Sequence, residues 1–257
     1  MKNKELKKIA DKARKIAVDI TRKAKAPHVG SASSIIEILT VIYFHIFPKE
    51  LEPNNFEKKD RPMVILSKGH AVAALYAILH LKGYLDQKKV YTYSQDGGLA
   101  GHADVSVRGI DFSTGSLGHG LGIGTGIALA RKIDKQNIPT LVILGDGECQ
   151  EGEVWEAANF AAAKKIGNLV AIVDNNKWQG YDRTEDIGPR LKEKWKAFGW
   201  KVLEVDGHDI AALCSTIKKA FLKDQPVVII AHTIKGKDLG EMENKLESHY
   251  IPPKEVI

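Results

Sequence analysis

The chain alternates between compact aliphatic runs and longer stretches with helical spacing. Met63-Val64-Ile65-Leu66, Leu141-Val142-Ile143-Leu144 and Leu169-Val170-Ala171-Ile172-Val173 are uninterrupted by polar residues and run into Ser, Gly or Asp. Lys201 to Val205 and Pro226 to Ala231 have a similar make-up. Short apolar runs of this kind predict strands buried on both faces, as in parallel sheets. Leu6, Ile9, Ala13, Ile16, Ala17 and Ile20 draw the apolar stripe of a first helix. Ser34 and Glu37 have the spacing of a capping box ahead of a helix running through Ile46. Ala71 to Leu81 reads as a helix that stops near Gly83, and Glu151 to Lys165 as one rich in alanine. Alternating strands and helices predict an α/β fold: a doubly wound, largely parallel sheet with helices on both faces. It is expected to form a single domain over residues 1–257.

Two segments fit neither period. Tyr93 to Gly115 is rich in glycine and reads as a functional loop. Gly118, Gly120, Gly122, Gly124 and Gly126 form a ladder that opens a helical segment. The ladder does not complete a GxGxxG fingerprint and has no strong strand directly before it, so close helix packing explains it better than a dinucleotide does.

Composition narrows the picture. With 257 residues, 44% of them hydrophobic, the chain can bury one sizeable core. It has no apolar stretch of about twenty residues, so no membrane span is expected. Two cysteines, Cys149 and Cys214, are too few for a disulfide scaffold, and a reducing cytoplasm is expected. The net charge of +6 raises the question of nucleic acid. Many of the cations, among them Lys4, Lys8, Lys12, Arg14 and Lys15, lie on the first helix and read as its solvated face. No zinc-finger spacing or aromatic RNA-binding strand accompanies them, so no nucleic acid is expected.

The chemistry concentrates at strand ends. Asp146, in Gly145-Asp146-Gly147, follows one predicted strand, and Asn176, in Asp174-Asn175-Asn176, follows the next. Either alone would more often cap a helix or turn. Together they place a carboxylate and an amide at the C-terminal ends of two parallel strands, where such sheets bind ligands. Oxygen ligands of this kind beside a glycine-flanked backbone suit Mg²⁺ shared with a phosphate. His28, His70, His102 and His249 lie in Pro-His-Val-Gly, Ser-Lys-Gly-His, Gly-His-Ala-Asp and Glu-Ser-His-Tyr. Their spacing does not fit zinc, but imidazole can donate to phosphate or exchange protons near neutral pH.

The stretch from Gly145 to Gln179, GDGECQEGEVWEAANFAAAKKIGNLVAIVDNNKWQ, resembles transketolase, a thiamine diphosphate enzyme, and the resemblance runs from Pro27 to His249. It implies the thiamine diphosphate-binding fold, with Mg²⁺ (Ca²⁺ or Mn²⁺ as substitutes) held by Asp146, Asn176 and the backbone carbonyl of Trp178. His70 and the N–H of Gly147 would face the diphosphate. Gly115, Ser116 and Leu117 would lie beside the pyrimidine, with Leu117 as an apolar wall. Glu151 and Glu156 resemble acidic residues that the family keeps near the cofactor at its subunit interface. His28, His102 and His249 would contact sugar phosphates and move protons. His119 stands where the family has glutamine, Val29 where proline is common, and Tyr250 where glycine follows the histidine.

The resemblance covers only the first catalytic domain of a full-length transketolase. The glutamate that activates the aminopyrimidine, and the arginines that grip sugar phosphates, belong to a pyrimidine-binding domain that cannot be placed in this sequence. The expectation is therefore the N-terminal subunit of a split transketolase. A separate C-terminal subunit would supply the pyrimidine-binding and C-terminal domains, giving an α₂β₂ assembly that moves a two-carbon ketol unit from a ketose phosphate to an aldose phosphate. Alternatives are a subunit of a 1-deoxyxylulose 5-phosphate synthase-like or dehydrogenase-type enzyme, and a non-catalytic cofactor-binding regulatory module.

Overall fold

A computed structural model describes residues 1–222 and 224–253; residue 223 and residues 254–257 of the expected domain lie outside the described residues. Helix α1 (Asn3–Ala24) is followed by short α2 (Val29–Ser33) and α3 (Ile36–Val41), the last continuing into a π-helical turn at Ile42–Ile46. Strand β1 (Met63–Leu66) leads to α4 (Val72–Lys82) and α5 (Gln87–Val90). A long loop then precedes α6 (His119–Ile133), β2 (Thr140–Gly145), α7 (Gly152–Ala163) and β3 (Leu169–Asn175). The rest comprises α8 (Thr184–Ile187), α9 (Leu191–Ala197), β4 (Lys201–Asp206), α10 (Ile210–Lys219), β5 (Val227–His232) and α11 (Glu247–Tyr250).

All five strands are parallel, in the order β1-β2-β3-β5-β4. The period-2 geometry of a strand sorts its residues onto two faces. Leu141, Ile143, Val170, Ile172, Val227 and Ile229 join the core that contains α1, α3, α4 and α10. Val142, Leu144, Ala171, Val173, Val228 and Ile230 join the core that contains α6, α7 and Trp195 of α9. Both faces are therefore covered, which explains why these strands lack polar alternation. Each fully buried Val, Leu or Ile contributes about 1.5–3 kcal/mol of transfer free energy. Two of the ladder glycines do pack closely: a Cβ at Gly124 would collide with Val142 Cγ2, and one at Gly120 with Ser67. They let α6 lie directly on the sheet.

Three expectations need correction. Ser34 and Glu37 form no capping box: the residue before α3 is Ile35, without a side-chain cap. Ser34 Oγ instead donates to Asp174 Oδ2 at 2.7 Å, and Glu37 pairs with Arg14 and, at 3.1 Å, with His208. Nor does one regular α-helix reach Ile46, since the last turn widens to π geometry. Arg14 is not on the solvated face. It is buried, hydrogen-bonded to Ser33 and Glu37 and ion-paired with Asp238, so one member of the lysine-rich set serves tertiary packing. Among the described residues, no helix is long and apolar enough to cross a membrane.

Candidate active site

Parallel strands deliver their C-terminal residues to one edge of the sheet. Here β1 delivers Lys68 and His70, β2 Asp146 and Gly147, β3 Asp174 and Asn176, and β5 Thr233 and Lys235. Asp174 is the centre of this edge. It is fully buried, and its carboxylate accepts from Lys68 Nζ, Thr233 Oγ1, Ser34 Oγ (2.7 Å) and Asn176 Nδ2 (2.8 Å). Burial pushes this carboxyl up, but the Lys68 ammonium and the hydroxyl donors outweigh it and hold Asp174 below the usual carboxylate range. A carboxylate only accepts, so it also fixes which way the Asn176 amide points. The amide NH₂ faces Asp174, and Oδ1 is left on the other side, where it accepts Trp178 N–H at 3.0 Å.

Asp146 is set differently. Its Oδ2 accepts from Lys177 N–H at 2.7 Å and from the Thr184 hydroxyl at 2.8 Å, and its Oδ1 faces Gly147 N–H at 3.0 Å. Burial and the neighbouring Asp174 charge push its carboxyl up to about 7. The Lys68 ammonium offsets only part of that rise, and a divalent cation beside Asp146 would offset more of it. The side-chain donors present are a carboxylate and a carboxamide oxygen, hard oxygens that suit Mg²⁺, Ca²⁺ or Mn²⁺. Among the described residues no three His, Cys, Asp or Glu side chains converge on a metal position. A cation here would need further oxygens from a ligand, and a diphosphate has them.

A cleft of about 310 Å³ opens over these residues. Of the sequence candidates, His70, Leu117, Asp146, Gly147, Glu151, Asn176, Trp178 and His249 line it. His28 and His102 stand just behind. The four imidazoles form a row, His249–His28–His70–His102, with ring centroids 4.7, 4.7 and 4.5 Å apart and edge-to-face contacts throughout. Burial, and then neighbouring cationic groups, lower His28 and His70 to about 4 and His249 to about 3. These rings are therefore neutral at pH 7. His28 has φ 72°, a left-handed conformation uncommon for a residue with a Cβ. Its N–H donates to His249 C=O at 2.8 Å, which ties the two histidine segments together, while its buried Nδ1 has no partner.

The other candidates sit further off. Gly115 has φ 147° and backs onto His102, where a Cβ would come within 2.8 Å of the ring. Ser116 is exposed on the same loop, and Glu156 is exposed on α7; neither lines the cleft. His119 also points away, to Glu153 at 3.1 Å on the surface.

The sequence reading missed three charged groups. Lys68 and Asp174 form the buried ion pair. Lys235 is 1% exposed, and its ammonium lies 2.8 Å from His249 Nδ1. Burial, with Lys68 nearby, lowers it to about 8. The available signal was position: all three lie within three residues of a strand's C-terminal end.

Residues 5–255 match the family model described as "Transketolase, thiamine diphosphate binding domain". The chain is 38% identical to one of the subunits of the apulose-4-phosphate transketolase of Phocaeicola vulgatus, over 95% of this chain and 88% of that protein. It is 39% identical to the 6-deoxy-6-sulfo-D-fructose transketolase subunit SqwG of a Clostridium species, over 95% and 90%. Against human transketolase the identity is 37% over 98% of this chain, but the chain spans only 40% of that protein. The crystal structure of Campylobacter jejuni transketolase superposes with a TM-score of 0.92 at 31% identity, covering 98% of this chain and 41% of the other. A parallel sheet whose C-terminal edge gathers Asp146, Asn176 and a row of four imidazoles is what this chain brings to that likeness in sequence and fold, and the chain belongs to the transketolase family as its thiamine diphosphate binding domain.

Proposed function

We propose that this chain is the N-terminal subunit of a split transketolase, which transfers a two-carbon ketol unit from a ketose phosphate to an aldose phosphate. The observation that carries this reading is the joint placement of Asp146, Asn176 and the row of four histidines around one cleft. A separate C-terminal subunit contributes the pyrimidine-binding and C-terminal domains, in an α₂β₂ assembly in the cytoplasm. Two relatives named as subunits are matched over 88% and 90% of their length, whereas the full-length human enzyme is matched over 40%, which supports the division. Those two relatives are named for different sugars, so the substrate class stays at sugar phosphates and related ketoses.

When bound, thiamine diphosphate supplies the carbanion chemistry. The chain's residues hold it and manage protons. Asp146, Asn176 and the Trp178 carbonyl hold Mg²⁺, with Ca²⁺ or Mn²⁺ as substitutes. Gly147 and His70 face the diphosphate, and the buried ammonium of Lys235 adds positive charge on that side. Gly115, Ser116 and Leu117 border the pyrimidine. His28, His102 and His249 contact the sugar, and a neutral imidazole can accept a proton from a substrate hydroxyl at pH 7. Glu151 and Glu156 face the partner subunit.

The test is an assay with xylulose 5-phosphate and ribose 5-phosphate, thiamine diphosphate and Mg²⁺. It uses this chain by itself, the C-terminal subunit by itself, and both together. Ketol transfer is expected only from the mixture. Full turnover by the purified chain without its partner overturns the split-enzyme reading, and cofactor binding without turnover by the mixture favours a regulatory module instead.

A further inference from the structure

Tyr250, at the residue after His249, makes a contact that no role assigned above requires. Its hydroxyl donates to the backbone carbonyl of Gly180 across the mouth of the cleft. Gly180 and His249 both line the cleft, whereas Tyr250 stands outside it, 56% exposed. Its ring rests against the His249 ring with centroids 4.7 Å apart. The phenol therefore bridges two walls that belong to segments far apart in sequence. One wall is the loop 177–184. It carries Trp178 and supplies Lys177 N–H and the Thr184 hydroxyl to Asp146. The other is the segment 235–250, which carries Lys235 and His249. A second bond joins the same two segments: Trp178 Nε1–H donates to Asn244 Oδ1 at 2.9 Å.

We propose that Tyr250 is a positioning residue that fastens His249 to the loop that carries Trp178 and braces Asp146, so that ordering this loop also fixes the imidazole that meets the sugar. The inference rests on the reading of the cleft as the thiamine diphosphate and sugar site. The geometry leaves His249 little other support on that side. Its Nδ1 is held by Lys235 and its carbonyl by His28 N–H, both from inside the molecule. Among the described residues, the outer side is held by the phenol. Gly180 fits the arrangement: an added Cβ would lie 3.0 Å from the Tyr250 hydroxyl and 3.8 Å from His249 Nε2, so a side chain there would crowd the contact.

Tyr250→Phe removes only the hydroxyl of a half-exposed ring and leaves the fold intact. The assembled two-subunit enzyme is compared with its Tyr250→Phe form by hydrogen exchange, with and without thiamine diphosphate and Mg²⁺. In the wild type, loading should slow exchange in peptides covering 177–184 and in those covering 244–251. In Tyr250→Phe the first effect should persist. Exchange across 244–251 should be about fivefold faster than in the loaded wild type, the change that corresponds to one net hydrogen bond of about 1 kcal/mol. Cofactor affinity by calorimetry should stay within about twofold, while kcat/KM for the ketose donor falls about fivefold. Asn244→Ala, which cuts the second tie, should act in the same direction. Equal protection of 244–251 in wild type and Tyr250→Phe overturns the fastening role while leaving the cofactor reading intact. Absence of cofactor binding by the wild-type assembly overturns both.

Discussion

Replacing Asp174 with asparagine tests the organisation of the site most severely. The side chain keeps its shape but loses its charge and one acceptor. In the native protein Oδ1 faces the Thr233 hydroxyl, and Oδ2 faces Lys68 Nζ, Ser34 Oγ and Asn176 Nδ2. The new NH₂ has two choices. Turned toward Lys68 it would meet three donors, whereas toward Thr233 it meets a hydroxyl that can rotate to accept. The second orientation wins, and it leaves a buried ammonium with a neutral acceptor in place of a carboxylate. Lys68 is only 6% exposed, so water cannot replace the lost charge. Breaking a buried pair by removing one partner costs about 3–5 kcal/mol. Against a total stability of about 5–15 kcal/mol, that is a large share. Urea unfolding of the two forms, read with a common m-value, measures it. The native Asp174 contribution is present above an unfolded pKa of about 3.9 and is lost as pH falls through its depressed folded value, so the gap between the two forms should narrow only in strong acid. A loss under about 1 kcal/mol at pH 7, with the fold intact, refutes the ion pair's role. Because Asp174 also orients Asn176, cation affinity should fall by about 10–100-fold, the range for residues that hold a metal ligand in place.

Other expectations follow from the same geometry. Asp146→Ala and Asn176→Ala should each abolish or greatly weaken Mg²⁺-dependent thiamine diphosphate binding by the assembled enzyme, and unchanged calorimetric affinity in both would remove the metal assignment. His28→Ala and His249→Ala should lower ketol transfer by about 10²–10⁴-fold with little effect on cofactor binding, whereas His70→Ala should weaken cofactor binding as well; kinetics across a cofactor titration separates them. The lowered histidines make the fold acid-sensitive. Unfolded rings take up protons near pH 6.5 while folded ones resist until about pH 4, or about 3 for His249, so stability is full above pH 6.5 and falls below it. Ring proton shifts followed by NMR should show no midpoint above about 5 for His28, His70 or His249, and midpoints near 6.5 would contradict the burial argument.

The sequence disclosed the sheet because parallel strands are buried on both faces, so Leu141–Leu144 and Leu169–Val173 carry an undiluted apolar signal. The order in which the strands assemble was not disclosed: nothing local in Pro226–Ala231 says that this run inserts between two earlier strands. Asp146 and Asn176 were legible because their motif is short and local. Lys68, Asp174 and Lys235 were not, because which ammonium meets which carboxylate is decided by strand order. The Ser34–Glu37 pair shows the same limit from the other side. Its spacing is right for a cap, yet both side chains are claimed by partners more than twenty residues away. Tertiary partners override the local motif, as they also do at Arg14.

The insertion of β5 between β3 and β4 bears on how the protein is made. The sheet order places β5, which follows β4 in the chain, inside the sheet rather than at its edge. Until β5 enters, β3 has one open side, Thr233 cannot reach Asp174, and Lys235 cannot reach His249. Pairings of such long sequence separation form slowly. A nascent chain that has emerged only through β4 already carries Asp146, Asn176 and three of the four histidines, yet its site is still open. Competence to bind the cofactor should therefore arrive late and all at once, making cofactor capture a reporter of complete folding rather than a nucleus for it.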